Sequence, residues 1–421
     1  MSTLKARLTR CAAALGLFLT AVACGSEPRD ERLTVMVPWS GDEFQAFYAV
    51  IKTFEEDTGI QVDLEVTRAQ TQQLDAAVAA GAPPDLAVLP SVGALNQYAG
   101  GKGLKPLGDT ITEDYAQPFR GLGTVGGEVV AVPVKADVKS LIWFNPTVTR
   151  APESTTLPAL RTLSRRASGA WCLGLASGPT SGWPGADWIA DILLSRSGTD
   201  AYRNWLSGRL PWTSPQVSAA WQAWRGIVAG SVGGASVRRF AEAADGMTAE
   251  PPTCFFGHGT LSAMGFPPTA DGTRTAYDFV TSAPEPVRRL EVSADFVGRF
   301  TDNPNAERLI THLSSAEAQR TWVNEPGGYG FSANSRVRPG EYDNPAQRRI
   351  AGMLRPEARY TLCFSAADAM TPDLSAAFYR AVLDYASDKS LLPTLLEGLD
   401  MVRSGRGESP VPPDDLCALP S

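Results

Sequence analysis

The stretch FEEDTGIQVDLEV, residues 54–66, joins the end of a helix to the start of a strand. Apolar residues recur at helical spacing over residues 42–59, and Gly59 is a typical helix stop. Residues 60–66 then alternate apolar and polar side chains, which predicts a half-buried strand. Patterns on either side predict three more elements, namely a strand at 33–38, a helix at 70–80 and a strand at 86–89. The order β-α-β-α-β predicts an α/β fold with a parallel sheet covered by helices.

This repeating pattern ends at residues 128–145, EVVAVPVKADVKSLIWFN, where two strand-like runs flank a charged centre. Because 421 residues exceed the length of one ordinary domain, we expect two lobes, and this segment can carry the chain between them. Beyond it, the sequence predicts helices at 157–168, 188–197, 217–229, 306–323 and 374–387 and a strand at 290–300. The sequence has no long low-complexity linker, which indicates that the chain crosses between the lobes more than once.

The N-terminus has the pattern of an export signal. Three basic residues precede an apolar run, residues 11–23, and no acidic residue occurs in this region. The run ends in AVACG, residues 21–25, which resembles the bacterial lipobox, where a lipidated cysteine becomes the first residue of the mature chain. We expect residues 1–23 to be removed, Cys24 to carry a lipid anchor and residues 24–32 to form a tether. The alternative is an ordinary secretory signal that is cleaved nearby.

The charge of the chain disfavours one class of partner. The whole chain has 38 basic and 45 acidic residues, a formal net charge of −7. Loss of residues 1–23 removes three positive charges and leaves 35 basic residues against 45 acidic ones, a formal −10. An acidic surface does not attract polyanions, so a nucleic-acid partner is not expected.

Four cysteines remain beyond the export signal, and they allow three disulfide connectivities. Because exported proteins meet oxidising conditions, we expect all four to be paired, and we favour Cys172 with Cys254 and Cys363 with Cys417. A zinc site is disfavoured, since no two of these cysteines have short C-x-x-C spacing. The sequence therefore predicts neither a metal nor a cofactor.

Five segments, taken in order, carry a family resemblance. They are FEEDTGIQVDLE (54–65), GAPPDLAVL (81–89), VPVKADVKSLIWFN (132–145), GWPGADWIADILL (182–194) and GGYGFSANS (327–335). Together with the lipobox, they resemble the extracellular solute-binding proteins of bacterial ABC importers, in the sugar-binding group that includes maltose-binding protein. The resemblance spans residues 33–403. It implies a monomeric, lipid-anchored receptor outside the cytoplasm that binds a carbohydrate and passes it to the permease subunits in the membrane.

The resemblance also implies an architecture. Two α/β lobes would be joined by crossovers and would close by a hinge on a ligand held in the cleft between them. Placed on this sequence, the crossovers fall near residues 137–140, 291–294 and 326–328; the first lobe comprises 33–138 with 293–326, and the second comprises 139–292 with 327–421.

A sugar presents hydroxyl groups around its rim and apolar C–H faces, so its site needs aromatic rings, carboxylates, amides or cations in a mostly dry cleft. Trp39 and Glu43 follow the first strand, and Ser91 follows the third strand at the carboxyl edge of the sheet. We expect these three to face the ligand. The alternatives are core packing for Trp39 and capping or helix-dipole roles for Asp42 or Glu43. Asp85 is expected to bond its own backbone in a turn.

The middle of the chain supplies four further candidates. Lys135 and Asp137 form the charged centre of an apolar crossover, where they can bond sugar hydroxyls or form a structural ion pair. Trp183, between a glycine and a proline and off any predicted helix, is expected to line the cleft. Trp188 continues an apolar helix face and is expected in the core, as is Trp143. Asp187 is either the N-cap of that helix or a ligand for sugar hydroxyls.

Tyr329, Asp368 and Tyr379 complete the predicted site. The segment AMTPDLSAAFY, residues 369–379, resembles the family segment that brings an aromatic ring to the sugar. Tyr379 occupies the position at which relatives often have tryptophan, so its smaller ring leaves the strength of stacking open. The segment CFFGHG, residues 254–259, departs from the family pattern, and His258 is therefore a secondary candidate.

Three other functions remain compatible with this sequence. A binding protein for another solute, such as a quaternary amine, would use an aromatic cage. A secreted glycosidase would need two carboxylates, which the chain can supply, but two histidines give little acid–base material and no nucleophile-elbow or HExxH motif is present. A surface adhesion module would have no hinged cleft. The sequence favours a carbohydrate-binding protein without enzymatic activity.

Overall fold

A computed structural model describes residues 32–166, 169–264, 277–405 and 416–420. The predicted signal peptide and Cys24 lie outside the described residues, as does the tether except for its last residue. That residue, Arg32, is not part of a tether, because it begins the first strand and forms an exposed ion pair with Asp63 at 3.1 Å.

The described chain alternates between strands and helices up to Tyr98, and runs of strands and of helices follow. The strands are β1 (Arg32–Val37), β2 (Gln61–Val66), β3 (Leu86–Leu89), β4 (Thr124–Val125), β5 (Glu128–Val129), β6 (Ala131–Val138), β7 (Leu141–Phe144), β8 (Phe256–His258), β9 (Asp278–Thr281), β10 (Arg289–Arg299), β11 (Thr361–Phe364) and β12 (Cys417–Ala418). The helices are α1 (Asp42–Thr58), α2 (Gln70–Ala79), α3 (Val92–Tyr98), α4 (Phe119–Leu122), α5 (Leu157–Arg166), α6 (Trp183–Leu206), α7 (Pro215–Ile227), α8 (Leu261–Met264), α9 (Pro304–Ser314), α10 (Ala316–Asn324), α11 (Pro345–Met353), α12 (Ala366–Ala369), α13 (Pro372–Ser387) and α14 (Leu392–Ser404).

The predicted β-α-β-α-β unit is confirmed. β1 lies between β2 and β3 and pairs in parallel with both, so α1 and α2 act as the crossover helices. The apolar face of α1 is buried through Phe47, Ile51 and Phe54. Gly59 ends this helix in a left-handed conformation, with φ of 75°, and its amide donates to the carbonyl of Glu55.

Two long strands, β6 and β10, pair at the centre of this α/β fold. The main sheet has the order β12-β11-β10-β3-β1-β2, and β6 pairs with β10 as a further strand. The first half of β10 pairs in parallel with β11, whereas its second half pairs antiparallel with β3. Since β6 runs antiparallel along the other edge of β10 from Val292 to Gly298, these two strands form one ribbon that passes through the middle of the molecule. We call it the crossover ribbon.

Two of the predicted helices differ from their predicted bounds by more than two residues. The chain over 306–323 forms two helices rather than one, because Ser315 is extended and its Oγ accepts a hydrogen bond from the amide of Ala318 at 3.1 Å. The helix predicted to start at Trp188 begins at Trp183, where Gly182 is the N-cap. None of the helices in the described ranges is long and apolar enough to cross a membrane.

The sequence predicts that Asp85 bonds its own backbone in a turn. Its carboxylate instead connects three segments of the chain. Its carboxylate accepts from the amide of Thr34 at 3.0 Å and from the hydroxyl of Thr301 at 2.5 Å. The carboxylate therefore fixes the start of β3 against β1 and against the chain that follows β10.

Much of the aromatic content of the chain is core. Trp205, Trp212 and Trp221 surround Phe378 with ring centroids 4.9–5.9 Å apart, so α6, α7 and α13 pack on one aromatic cluster. Trp143 is fully buried in β7, as predicted. These four of the ten tryptophans are therefore core residues.

Both predicted disulfides are confirmed. Cys172 is bonded to Cys254, across a sequence separation of 82, and Cys363 is bonded to Cys417, across a separation of 54. The second bond connects β12 to β11, where the two cysteines are also cross-strand partners.

Replacing Cys172 and Cys254 together with serine is expected to lower the free energy of unfolding by about 4 kcal/mol, because the unfolded chain gains the entropy of an opened loop. Urea denaturation of the oxidised proteins measures the loss. Reduced wild-type protein, which also opens the other loop, should be less stable still. A variant as stable as the oxidised wild type would contradict the prediction.

Candidate functional site

The crossover ribbon carries a row of polar side chains on one face. Lys135, Asp137 and Lys139 alternate with apolar residues along the chain at the end of β6. Lys135 is the cross-strand partner of Asp295, and Asp137 is the partner of Ser293. Because directly opposed residues of antiparallel strands project to the same side of the sheet, charges of both strands lie on this one face. The alternation therefore places the charged side chains in one row along one face of the crossover ribbon.

The Lys135 cluster consists of Lys135, Glu43, Asp137 and Asp295. Its ammonium group forms an ion pair with Glu43 of α1, lies 3.1 Å from Asp137 and is 3.8 Å from Asp295. The side chain of Lys135 is only 6% exposed. The predicted Lys135–Asp137 ion pair is thus present, within a larger group of three carboxylates than the sequence indicated.

Charge crowding and burial shift the protonation of this cluster. Burial raises the pKa of Asp137 to about 7. The positive charge of Lys135 lowers this pKa, and the negative charges of Glu43 and Asp295 raise it further. Burial likewise raises the pKa of Asp295 to about 6. Burial alone would lower the pKa of Lys135, but the charges of its carboxylate neighbours outweigh burial and raise it. Lys135 therefore stays charged, while Asp137 is partly protonated near neutral pH.

The Lys139 cluster consists of Lys139, Asp187, Ser365 and Asp368. Its ammonium group lies 3.0 Å from Asp187 of α6 and 2.9 Å from Asp368 of α12, and it donates to the hydroxyl of Ser365 at 2.9 Å. Burial raises the pKa of Asp187 to about 6, against the charge of Lys139. Successive side chains on one face of a strand are two residues apart, so the two ammonium-bearing residues are about 13 Å apart along the ribbon.

Beneath the Lys139 cluster lies a fully buried carboxyl group, Glu291. The hydroxyl of Tyr202 and the amide of Ala366 each donate to its Oε1 at 3.2 Å. Burial, with the charges of Asp187 and Asp191, raises its pKa well above the usual range. A protonated Glu291 costs less to bury than a carboxylate, which explains its place in the interior.

Trp39 and Glu43 have different environments. The ring of Trp39 is 3% exposed and packs against Phe47 and Trp322, with centroids 4.9 Å away in both cases. Its indole nitrogen donates to Asp295 at 3.0 Å, so it supports the Lys135 cluster from the core side. Glu43 lies in the first turn of α1, whose N-cap is Gly41 rather than an acidic residue.

The stretch GWPGADW, residues 182–188, forms the start of α6. Trp183 is therefore on a helix, contrary to the prediction, and it packs edge-on against Phe240 while remaining partly exposed. Asp187 is not an N-cap, because it lies one turn inside the helix, where it binds Lys139. Trp188 is 3% exposed, as predicted for a core residue, and stacks on His258 with ring centroids 4.6 Å apart.

Tyr379, on α13, is partly buried next to the Lys139 cluster, and burial with the charges of Asp368 and Asp187 raises its pKa well above the usual range. A Cβ at Gly182 would lie 2.1 Å from the Tyr379 carbonyl oxygen, so this glycine is needed for α6 and α13 to meet. Tyr329, 9% exposed, lies in the segment that precedes the Phe331–Ala136 bridge on β6.

Ser91 has a structural role in the described chain. It is the N-cap of α3, and its Oγ accepts a hydrogen bond from the amide of Ala94 at 3.0 Å. His258 Nε2 is hydrogen-bonded to Asp191 Oδ2 at 2.9 Å, and Asp191 Oδ1 accepts a hydrogen bond from the hydroxyl of Ser140 at 2.5 Å. This buried network adjoins the crossover ribbon and gives His258 a polar partner within the apolar segment CFFGHG.

Sequence reasoning missed Lys139, Asp295 and Ser365. The first two carried a usable signal, because KADVK (135–139) and EVSAD (291–295) place a polar side chain at every second position between apolar residues. Ser365 had no such signal, since it reaches Lys139 only through the pairing of β11 with β10.

The described chain was compared with known proteins. Residues 49–349 match the family model described as bacterial extracellular solute-binding protein. The chain belongs to this family. Among curated relatives of this solute-binding protein, the alpha-glucosides-binding periplasmic protein AglE of Rhizobium meliloti (strain 1021) is 27% identical over 87% of this chain and 86% of its own. The osmoprotective compounds-binding protein GgtB of Synechocystis sp. is 28% identical over 86% of this chain and 90% of its own.

Solved structures confirm the fold of the solute-binding protein. The bacterial solute receptor AcbH superposes with a TM-score of 0.76 at 15% identity, covering 89% of this chain and 99% of the receptor. Maltose-bound MalE3 of T. maritima superposes with a TM-score of 0.67 at 15% identity, over 88% of this chain and 98% of its own. The two-lobe α/β architecture with a cleft between the lobes is therefore established.

Asp137→Asn is expected to change how stability depends on pH. The pKa of Asp137 is about 7 in the folded protein against 3.8 for an ordinary aspartate, so the folded state binds the proton more tightly and loses stability as pH rises through that range. In the variant, the slope of unfolding free energy against pH should be less negative by up to about 1.4 kcal/mol per pH unit. Urea denaturation from pH 4.5 to 7.5 measures this slope. The exposed Asp302→Asn should leave the slope unchanged; an equal effect of both would refute the assignment.

Trp188→Ala and Trp183→Ala are expected to behave differently. Trp188→Ala should lower the free energy of unfolding by about 3–5 kcal/mol, because loss of the buried ring leaves a cavity next to Trp171 and His258. The partly exposed Trp183 should cost less. Chemical denaturation of both variants gives the comparison, and equal losses would show that Trp183 is as much a core residue as Trp188.

Proposed function

We propose that the protein is the substrate-binding lipoprotein of an ABC importer and that it captures a carbohydrate on the polar face of the crossover ribbon. The observation that carries this proposal is the row formed by the Lys135 and Lys139 clusters at the junction of the lobes. Each cluster combines an ammonium group with carboxylates contributed by several elements of the fold. Planar carboxylates at fixed positions are suited to accept hydrogen bonds from the hydroxyl groups of a sugar.

One atom of the row is prepared for a ligand hydroxyl. Asp137 Oδ1 is buried and accepts no hydrogen bond from the described residues, while Oδ2 of the same group faces Lys135. Leaving a buried acceptor unpaired costs about 1–3 kcal/mol, which a donor on the ligand recovers. We infer that Asp137 and Lys135, with Glu43, bind hydroxyl groups at one end of the ligand.

The second half of the proposed site comes from the other lobe. Asp187 and Asp368 would bind hydroxyl groups near Lys139, and the ring of Tyr379 would cover an apolar face of the sugar. Tyr329 and Trp183 would border the cleft. We assign Trp39 and Ser91 supporting roles, since Trp39 holds Asp295 and Ser91 caps α3. With the two clusters about 13 Å apart, the site suits a di- or oligosaccharide.

The names of the relatives support a sugar. AglE is named for alpha-glucosides, and at 27% identity it covers most of this chain. GgtB is named for osmoprotective compounds, a class that leaves room for ligands other than common sugars. A quaternary amine held in an aromatic cage is less well supported, because the ring of Trp39 is already packed between Phe47 and Trp322.

The remaining assignments follow from the sequence and the family. We propose cleavage before Cys24, lipidation of Cys24 and attachment to the outer face of the cell membrane, with delivery of the ligand to permease subunits by a monomeric receptor. We retain the lobe bounds 33–138 with 293–326 and 139–292 with 327–421. Two of the three proposed crossovers then fall in β6 and β10, the paired strands of the crossover ribbon.

We infer that the protein binds sugar without hydrolysing it. The relatives are named as binding proteins, and the carboxylates nearest each ammonium group are engaged in ion pairs. A glycosidase would require a general acid and a second carboxylate free to act on the sugar. Turnover of an oligosaccharide by the purified protein would overturn this inference.

A thermal-shift screen of the mature protein against mono-, di- and oligosaccharides, choline and glycine betaine tests the proposed function. A ligand at 100 times its Kd should stabilise the fold by about 2.7 kcal/mol. We expect a shift with at least one sugar and a smaller one for Asp137→Asn, with Asp302→Asn as the control of equal charge change. A shift with an amine alone would refute the carbohydrate assignment.

A further inference from the structure

We propose that the cavity between α5 and α6 binds a small dicarboxylate, with one carboxylate group on Arg161 and the other on Arg196. None of the described residues that line this cavity is assigned to the sugar, so the proposal does not rest on the proposed function. The lining of the cavity, the unpaired guanidinium groups and their positions along α7 support it.

The cavity has a volume of about 420 Å³ and lies between two helices. Residues from 155–161 line one side, residues from 191–196 line the other, and Ser282 and Pro284 complete the lining. The volume is within the range of sites that hold small organic molecules. Apolar side chains form part of the wall, namely Leu157, Pro158, Leu160, Ile192 and Pro284. The cavity can therefore hold a molecule that has a short apolar body and charged ends.

The cations of the lining are two arginines. Nε of Arg161 is buried and has no hydrogen-bond partner among the described residues, and Nη1 of Arg196 donates to the carbonyl of Ala219 at 3.4 Å, a long hydrogen bond. Within the ranges that the structure describes, neither guanidinium group is paired with a carboxylate. A guanidinium group binds a carboxylate through two parallel N–H donors. Both arginines are thus available to an anionic ligand.

Asp191 is the one carboxylate of the described lining, and its hydrogen bonds are already made. The residue is 2% exposed, and its oxygens are hydrogen-bonded to Ser140, His258 and Ser282. Two arginines against this aspartate leave a formal charge of +1. Residues 155–158 also bring the start of α5 to the cavity, and the N-terminus of a helix adds partial positive charge. The lining therefore attracts anions, although the whole chain has a formal charge of −7.

The spacing of the two arginines favours a ligand with two anionic groups. Nη1 of Arg196 contacts α7 at Ala219. Arg161 contacts the same helix two turns later, since a Cβ at Gly226 would lie 3.1 Å from Nε of Arg161. These two positions are seven residues apart, on the same side of α7 and about 10 Å apart along its axis. One phosphate or carboxylate group is too small to contact both guanidinium groups across this spacing, whereas a dicarboxylate with a short methylene chain can contact both.

Isothermal titration calorimetry of the mature protein with succinate, glutarate and adipate tests the proposal. Butyrate, which has one carboxylate, inorganic phosphate and glycerol are the comparison compounds. All titrations use the same ionic strength, because salt screens partly exposed charges. At least one dicarboxylate should bind with a Kd about tenfold lower than that of butyrate or phosphate, because only a dicarboxylate uses both guanidinium groups. Glycerol should not bind.

Two variants locate the ligand. Arg161→Gln and Arg196→Gln should each raise the Kd of the preferred dicarboxylate about tenfold, because each removes one charge-assisted pair. Arg165→Gln removes the same charge from an exposed position one turn further along α5, outside the lining, and should leave the Kd unchanged. Asp137→Asn, in the Lys135 cluster, should also leave it unchanged. Circular dichroism and melting curves establish that all variants are folded.

The outcomes separate this proposal from the proposed function. Dicarboxylate binding that both glutamine variants of the cavity weaken, and that Arg165→Gln leaves intact, would support it. If no dicarboxylate binds, or if butyrate or phosphate binds as tightly, the site with two anionic ends is wrong. If either cavity variant keeps the wild-type Kd, that arginine does not hold the ligand and the assignment fails. Sugar binding is measured separately on the same samples, so the failure of either proposal leaves the other in place.

Discussion

The cost of burying two ammonium groups governs the centre of this molecule. Removing a charge from water costs several kcal/mol, so Lys135 and Lys139 can lie in the interior only where carboxylates surround them. Lys135 forms an ion pair with Glu43 of α1, and Lys139 forms ion pairs with Asp187 of α6 and Asp368 of α12. Each lysine therefore attaches the crossover ribbon to a different set of helices.

The same requirement gives the carboxylates two roles. They neutralise the lysines, and their remaining lone pairs are held at fixed positions in the cleft. The structural ion pair that the sequence allowed for Lys135 and Asp137 is confirmed, and it involves Oδ2 of Asp137, while Oδ1 accepts no hydrogen bond from the described residues. Because ion pairs already fix these side chains, binding of a ligand would require little further ordering of them.

Glycine allows the backbone to approach these groups. A Cβ at Gly330 would lie 2.4 Å from Cγ of Lys135, so the segment that contains Tyr329 can pass over the lysine stem only with glycine there. A Cβ at Gly93 would overlap the carbonyl oxygen of Met370, which brings α3 against the chain between α12 and α13. The close contact at Gly330 thus covers the stem of Lys135, which contributes to the low exposure of that lysine.

The sequence by itself determined the local features: the β-α-β-α-β unit with its Gly59 stop, the buried Trp143 and Trp188, and the charged centre at Lys135 and Asp137. These follow from periodicity, composition and spacing, which act over a few residues. The tertiary structure alone decided that α6 begins at Trp183, that Trp39 packs in the core and that Asp295, Asp368 and Ser365 join the two lysines. The physical reason is that the contacts of Asp295, Asp368 and Ser365 with the lysines join residues 160 or more positions apart, which meet only when β10 pairs with β6 on one edge and with β11 on the other.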